Sequence, residues 1–368
     1  MKKAIIGVLI LIITSAILYF IPKGEKELYA ITVDGQKVNT MPSNGNYNVT
    51  VKCTNATGVW NYTEWGIDLT DVGKDYSCKI QFTTSNKTTL NNYVISLNDQ
   101  AVGDGKVVNE NGYRYEGTNP NNYVLYNGEL WRIIGVFGSE MHGQTGNLVK
   151  IIRNDSIGGL VYDTSGVNSW GASTLYKLLN QTSGGSFYTG VDYTNKSSGT
   201  YCSSRYGYTP RDCSFSKTGI RSDYARGMIQ EATWYSTEYS SRSNVPTTYT
   251  YDITTTTSNN GYIGLMYASD YGYAVQASDC ARTISLGSYE GSGNGLTCAG
   301  KNWLRTGGVE WTISRYSGIY SWYVYFSGPI SYSGVYYGSA VRPVLYLKSS
   351  VYYVSGSGTY DDLIVIGN

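Results

Sequence analysis

The dipeptide Asn127-Gly128 places the strongest local limit on how this chain can fold. A two-residue hairpin with the right twist needs positive φ at both central positions, and Asn followed by Gly supplies it. Apolar-rich runs flank the pair: Tyr123-Val124-Leu125-Tyr126 before it and Glu129-Leu130-Trp131-Arg132-Ile133-Ile134-Gly135-Val136-Phe137 after it. The pattern predicts two antiparallel strands. Leu148-Val149-Lys150-Ile151-Ile152-Arg153 supplies a third, reached through the Gly-rich loop that holds His142. These strands are the expected nucleus of a large domain over 113–368.

Composition agrees with β structure. Tyr occurs 38 times, Gly 44 and Pro only 7. Aromatic side chains fill half-buried pleated surfaces, and Gly serves the corners. A hydrophobic content of 41% permits a packed core. With 15% charged residues and a net charge of +1, the chain has no basic field to gather phosphates, which argues against nucleic acid as a partner.

Ala4 to Ile21 is an uncharged apolar run between Lys2-Lys3 and Pro22-Lys23. It reaches the lower limit for crossing a bilayer as a helix. The two lysines predict a cytoplasmic N-terminus, with everything after Lys23 outside. Residues 1–26 thus read as a transmembrane anchor. The alternative is a cleaved signal with Thr14-Ser15-Ala16 as its small-residue site, although five apolar residues follow it. Either way the body is expected outside the cell.

Residues 27–84 read as a small all-β sandwich. Ala30-Ile31-Thr32-Val33 leads into the turn Asp34-Gly35, and both Tyr47 to Val51 and Cys78 to Phe82 alternate with period two. Lacking acid–base groups, this module reads as a stalk. Residues 85–112 are polar and aperiodic, a predicted linker. Two helices are expected in the large domain. Leu175, Leu178 and Leu179 share one face of a helix ending at Asn180, and Ala225, Met228, Ile229 and Ala232 share a face of another from Asp223 to about Tyr235, with Ser222 as its cap. Val245 to Asn260 reads as a strand or a solvated loop.

Six cysteines without a C-x-x-C pair suit disulfides in an oxidising compartment better than zinc or thioredoxin chemistry. Nearest-neighbour pairing is the simplest choice: Cys53–Cys78, Cys202–Cys213 and Cys280–Cys298. The first would lie near Trp60 or Trp65.

Between Asn302-Trp303-Leu304-Arg305 and Val341-Arg342-Pro343-Val344-Leu345-Tyr346-Leu347 the chain is rich in Tyr, Ser, Gly and Trp. Large rigid rings among small polar residues are how adaptable binding surfaces are composed, since Tyr gives contact area at low entropy cost. The bland reading is rings covering a core. The functional one makes Tyr316, Tyr320, Trp322, Tyr323, Tyr325, Tyr332, Tyr336 and Tyr337 a ligand-binding face. Period two separates Tyr323 and Tyr325 from Trp322, Val324 and Phe326, and the tyrosines are expected to face solvent. Trp131 and Trp303 are expected in the core. Arg305 and Arg342 are expected to fix the strands through carboxylates or backbone carbonyls.

The order "YNGELWRIIGVF", "VKIIRND", "SWGASTLYKLLN", "IGLMYASDYGYA", "NWLR" and "VRPVLYLKSSV" resembles a group of bacterial surface domains of uncharacterised function. Their fold is similar to C-type lectins and to formylglycine-generating-enzyme-type domains. The resemblance covers roughly Tyr113 to Asn368. It implies an α+β, C-type-lectin-like head with a twisted antiparallel sheet. The variable ligand-binding proteins of diversity-generating retroelements share that fold family and carry their changeable residues near the C-terminus, where the Tyr/Ser/Trp stretch lies. The module before the head resembles small Cys-bridged modules of exported proteins from Gram-positive-type gut bacteria.

Chemistry is sparse. His142 is the one histidine, no G-x-S-x-G elbow accompanies it, and a lone loop histidine reads as a solvated surface residue. No D-x-[DN]-x-[DN]-G calcium loop occurs, and the Glu-Pro-Asn and Trp-Asn-Asp motifs of calcium-dependent lectins are absent. Formylglycine-generating enzymes use a copper-binding cysteine pair. Cys280 and Cys298 are the only candidates here, and a structural disulfide suits their Gly/Ser-rich setting better. The expected role is therefore non-catalytic capture of an extracellular glycan or protein, without cofactor or metal. An enzyme of that copper type and a structural envelope component are the rivals.

Overall fold

Asn127 and Gly128 adopt φ of +55° and +72°, and Glu129 pairs with Tyr126 across the turn. The expected hairpin forms. The computed structural model describes residues 28–42, 47–61, 65–84, 87–182, 185–190, 194–195, 213–214, 218–254, 256–289 and 298–368. The chain divides into two compact units between Lys87 and Thr88.

In the first unit a sheet ordered Gln36–Val38, Tyr29–Val33, Ser77–Thr84, Tyr47–Thr54 is faced by the ribbon Thr57–Asn61 with Gly66–Thr70. Its core is Trp60, Ile80 and Phe82. Trp60 stands edge-on to Phe82 at 5.1 Å and to Trp65 at 5.3 Å. Cys53 and Cys78 sit directly opposite each other in register and are bonded.

The second unit is built on a nine-stranded sheet. Its path runs Ile229–Gln230, Val344–Leu347, Leu148–Arg153, Glu129–Phe137, Tyr123–Tyr126, Ile364–Gly367, Tyr352–Ser355. Tyr113–Pro120 also pairs with Glu129–Phe137, and Gly103–Asn109 pairs with Tyr113–Pro120. A side chain at Gly135 would put its Cβ 2.3 Å from the Tyr113 carbonyl oxygen, so only glycine admits that crossing strand. Trp131, Ile133, Ile151, Val344 and Leu345 are fully buried, each such side chain contributing ~1.5–3 kcal/mol. The segment 85–112, which reads as a linker, contains helix Leu90–Ser96 and strand Gly103–Asn109, and buries Leu90, Val94 and Val107 in this core.

The expected α+β class with two helices is corrected. Strands occupy 40% of the described residues and helices 16%, so the chain is mostly β. Helices Leu90–Ser96, Ser139–His142, Thr174–Asn180, Asp223–Met228, Val245–Asp252 and Ala268–Tyr273 have four to eight residues each. No helix among the described residues is long and apolar enough to cross a membrane, and residues 4–21 lie outside them. Ser222 caps its helix as expected, and Ser173 caps Thr174–Asn180. The second helix stops at Met228, because Ile229 and Gln230 pair with Leu347 and Tyr346 instead. Val245–Asp252 is a helix, capped by Asn244 and opened by Pro246.

Cys280 and Cys298 are bonded and buried. The predicted pair Cys202–Cys213 lies outside the residues whose side chains are described. Closing a span of 18 residues constrains the unfolded chain by ~3 kcal/mol. Replacing both Cys280 and Cys298 with Ser is expected to lower the unfolding free energy by that amount, with a lower urea midpoint and a slope that does not fall, since the unlinked chain exposes more surface. No shift would mean the unfolded chain gains nothing when the link is cut.

Candidate ligand-binding face

A five-stranded sheet carries the Tyr-rich stretch, in the order Gly159–Val161, Gly338–Ala340, Glu310–Arg315, Tyr320–Val324, Ile330–Gly334. The last strand is an edge. Gly318, at φ +58°, turns Glu310–Arg315 back into Tyr320–Val324. Trp322 lies opposite Tyr332, and Tyr323 lies opposite Ser331. Directly opposed side chains share a face, so the aromatic residues divide between two faces.

On one face Tyr323 stands edge-on to buried Trp311 at 6.1 Å and to Tyr325 at 6.1 Å. Both tyrosines are half-buried, and Phe326 beside them is exposed. On the other face Trp322 is fully buried. Its Nε1 donates to the Tyr239 carbonyl at 3.1 Å, and its ring stacks on the Tyr239 ring at 5.4 Å. Tyr239 stacks in turn on Tyr251 at 4.9 Å. Tyr316 meets Trp322 edge-on at 4.8 Å and lies parallel to Tyr332 at 4.0 Å. Tyr320 stands edge-on to Tyr332 at 5.7 Å. The array runs from half-buried Tyr251 through buried Tyr239 and Trp322 to the surface, where Tyr320 is 39% and Tyr332 40% exposed.

The eight expected ligand residues therefore separate. Trp322 is a floor, not a contact, because Tyr239 covers it. Tyr320 and Tyr332 are the open rings, and Tyr316 is half-buried behind them. Tyr323 and Tyr325, expected to look outward, are each half-covered on the opposite face. Tyr336 and Tyr337 are a half-buried pair at 5.0 Å. Tyr239, Tyr251 and Arg242 complete the array and were hidden in a Ser/Thr-rich stretch without periodicity. The helix cap at Asn244-Val245-Pro246 was the one local signal there.

Beneath the floor the buried Asp252 carboxylate accepts from Ser314 Oγ at 2.6 Å, from the Ser269 amide at 2.9 Å and from the Tyr239 hydroxyl at 3.3 Å. Burial pushes its pKa up to about 6, against the pull of the Ser314 and Ser269 hydrogen bonds. A raised carboxyl stabilises the fold fully below its unfolded value, and that stability is lost as pH rises through the folded one. From pH 4 to pH 7 this group is expected to remove on the order of 3 kcal/mol. Denaturant titrations of the unaltered chain and of Asp252→Asn at both pH values check this. The variant should lose less stability over the interval, and equal losses would contradict it.

Arg315 pairs with Glu238 at 2.8 Å beside the array. Arg342 pairs with buried Glu310 at 2.7 Å and donates to the Leu304 carbonyl, and Arg305 donates to the Phe326 carbonyl at 3.0 Å. Arg342 thus holds strand Glu310–Arg315, Arg305 joins two turns, and Trp131 and Trp303 are core. His142 is fully buried, not solvated: its Nδ1 accepts from the Gln144 amide, which leaves Nε2–H to donate to the Phe137 carbonyl at 3.0 Å. Burial lowers its pKa, so it stays neutral. Among the described residues no group of three or more His, Cys, Asp or Glu is placed to hold a metal ion. Comparison with protein-family models, with curated proteins and with solved structures finds no match to this chain.

Proposed function

We propose that this is an exported surface protein that captures an extracellular ligand, a glycan or a protein, through Tyr320 and Tyr332, without catalysis. One observation carries the reading: two large rings stand in solvent on a floor already ordered by Tyr316, Trp322 and Tyr239. Exposed aromatic rings cost hydration, and rings held by neighbours lose little further freedom when a ligand stacks on them. Two disulfides support an oxidising, extracytoplasmic setting. The apolar run of residues 4–21 supports delivery to the membrane, with the bulk of the chain outside. The copper-enzyme alternative needs free thiols at Cys280 and Cys298, which are bonded and buried.

The test is a screen of the purified, oxidised full chain against arrays of extracellular glycans and of microbial and host surface proteins. Saturable binding that Tyr320→Ala weakens is expected. Binding only through residues away from this face, or thiol-dependent turnover at Cys280 and Cys298, would overturn the proposal.

A further inference from the structure

Arg242 is an exposed guanidinium at the edge of the array. Its stem lies across Gly287, where an added Cβ would sit 2.5 Å from Arg242 Cδ and 3.1 Å from Arg242 Cβ. Only glycine lets the stem lie flat there. The Arg242 carbonyl also accepts from Ser285 Oγ, which ties the backbone down. The head is thereby delivered to the sheet edge. Its Nη2 donates to Ser331 Oγ at 3.3 Å, and its carbon lies 5.5 Å from the Tyr332 ring centroid. Its neighbour in the array, Arg315, is neutralised by Glu238. No described carboxylate lies within 4.0 Å of Arg242, and its Nε and Nη1 have no protein partner among the described residues.

We infer that the ligand of this face is an acidic saccharide, seated in the corner where the Tyr320 and Tyr332 rings meet edge-on at 83°, with its carboxylate on Arg242. The inference rests on the proposed capture role and names the ligand class. A guanidinium offers paired donors in a plane, which match the two oxygens of a carboxylate. An open guanidinium beside a stacking ring therefore selects a sugar that carries its charge close to a flat apolar face. The open platform is two rings, whereas a specific protein interface needs roughly 800 Å² from each partner. A ring-sized ligand fits better.

The experiment titrates the full oxidised chain with an oligogalacturonate, with its methyl ester, and with a sulfated galactan. Each is repeated with Arg242→Gln and with Tyr320→Ala plus Tyr332→Ala. The acid should bind about tenfold tighter than the ester at low salt. Arg242→Gln should erase that difference, so that acid and ester bind this variant equally. Equal affinity for acid and ester, or a preference that survives in Arg242→Gln, overturns the assignment of Arg242. Tighter binding of the sulfated galactan overturns the choice of carboxylate. If the tyrosine double variant binds the saccharides as well as the unaltered chain does, the aromatic face itself is wrong, whatever Arg242 does.

Discussion

Asp270→Ala is expected to destabilise the large unit by ~3–5 kcal/mol, because it leaves two cations buried without a counter-charge. Asp270 is fully enclosed between Lys150, which donates to its Oδ2, and Arg114, whose Nη1 lies 3.0 Å from its Oδ1. The same carboxylate accepts from the Tyr267 amide at 2.9 Å and so caps helix Ala268–Tyr273. Lys150 in turn lies 4.3 Å from the Tyr267 ring centroid and within 6 Å of those of Phe137, Trp234 and Tyr346. Burial favours the protonated acid, but the two cations outweigh it and hold Asp270 below the ordinary carboxylate range. A loss of this size is a large share of the ~5–15 kcal/mol that holds a domain folded. Arg315→Ala breaks the more exposed Arg315–Glu238 pair and should cost under ~1 kcal/mol. Denaturant midpoints for the two variants decide the matter. Similar midpoints would mean the buried cluster contributes no more than a surface pair.

The second large effect concerns binding. Truncating a central aromatic anchor typically costs ~2 kcal/mol or more of affinity, about thirtyfold. Tyr320→Ala and Tyr332→Ala are each expected to weaken ligand capture by that factor, with a stability loss smaller than that of a fully buried ring because both are about 40% exposed. Trp322→Ala should behave differently. It empties the floor under Tyr316 and Tyr332 and should lower stability by ~3–5 kcal/mol, with binding lost as a consequence. Unchanged stability in Trp322→Ala would show that Tyr239 and Tyr316 do not depend on it.

How much of this was legible in the residues can be traced element by element. The Asn127-Gly128 turn was, because φ at two consecutive positions is a local property. The pairs Cys53–Cys78 and Cys280–Cys298 followed from short spacing. Ile229 and Ala232 fit a helical stripe, so periodicity alone carries the Asp223 helix past its end at Met228. A strand more than a hundred residues later, Val344–Leu347, claims that backbone instead. Val245–Asp252 was missed because its threonines disfavour helix, while the cap at Asn244 and packing against Ala268–Tyr273 override them. The period of two separated the two faces of Tyr320–Val324 correctly. It could not say which is covered, because the cover comes from Tyr239 and Tyr251, remote in sequence. The charge on Asp270 was visible, but its partners Arg114 and Lys150 are brought to it only by the fold.

Ligand capture turns on which aromatic face meets the ligand. Calorimetric titration of the full chain with a saccharide or protein that it captures, repeated with Tyr320→Ala plus Tyr332→Ala and with Tyr323→Ala plus Tyr325→Ala, tests it most directly. The first pair should abolish measurable binding while the second leaves the affinity within about threefold (under ~0.7 kcal/mol). Loss confined to the second pair, or binding that survives the first, would contradict it.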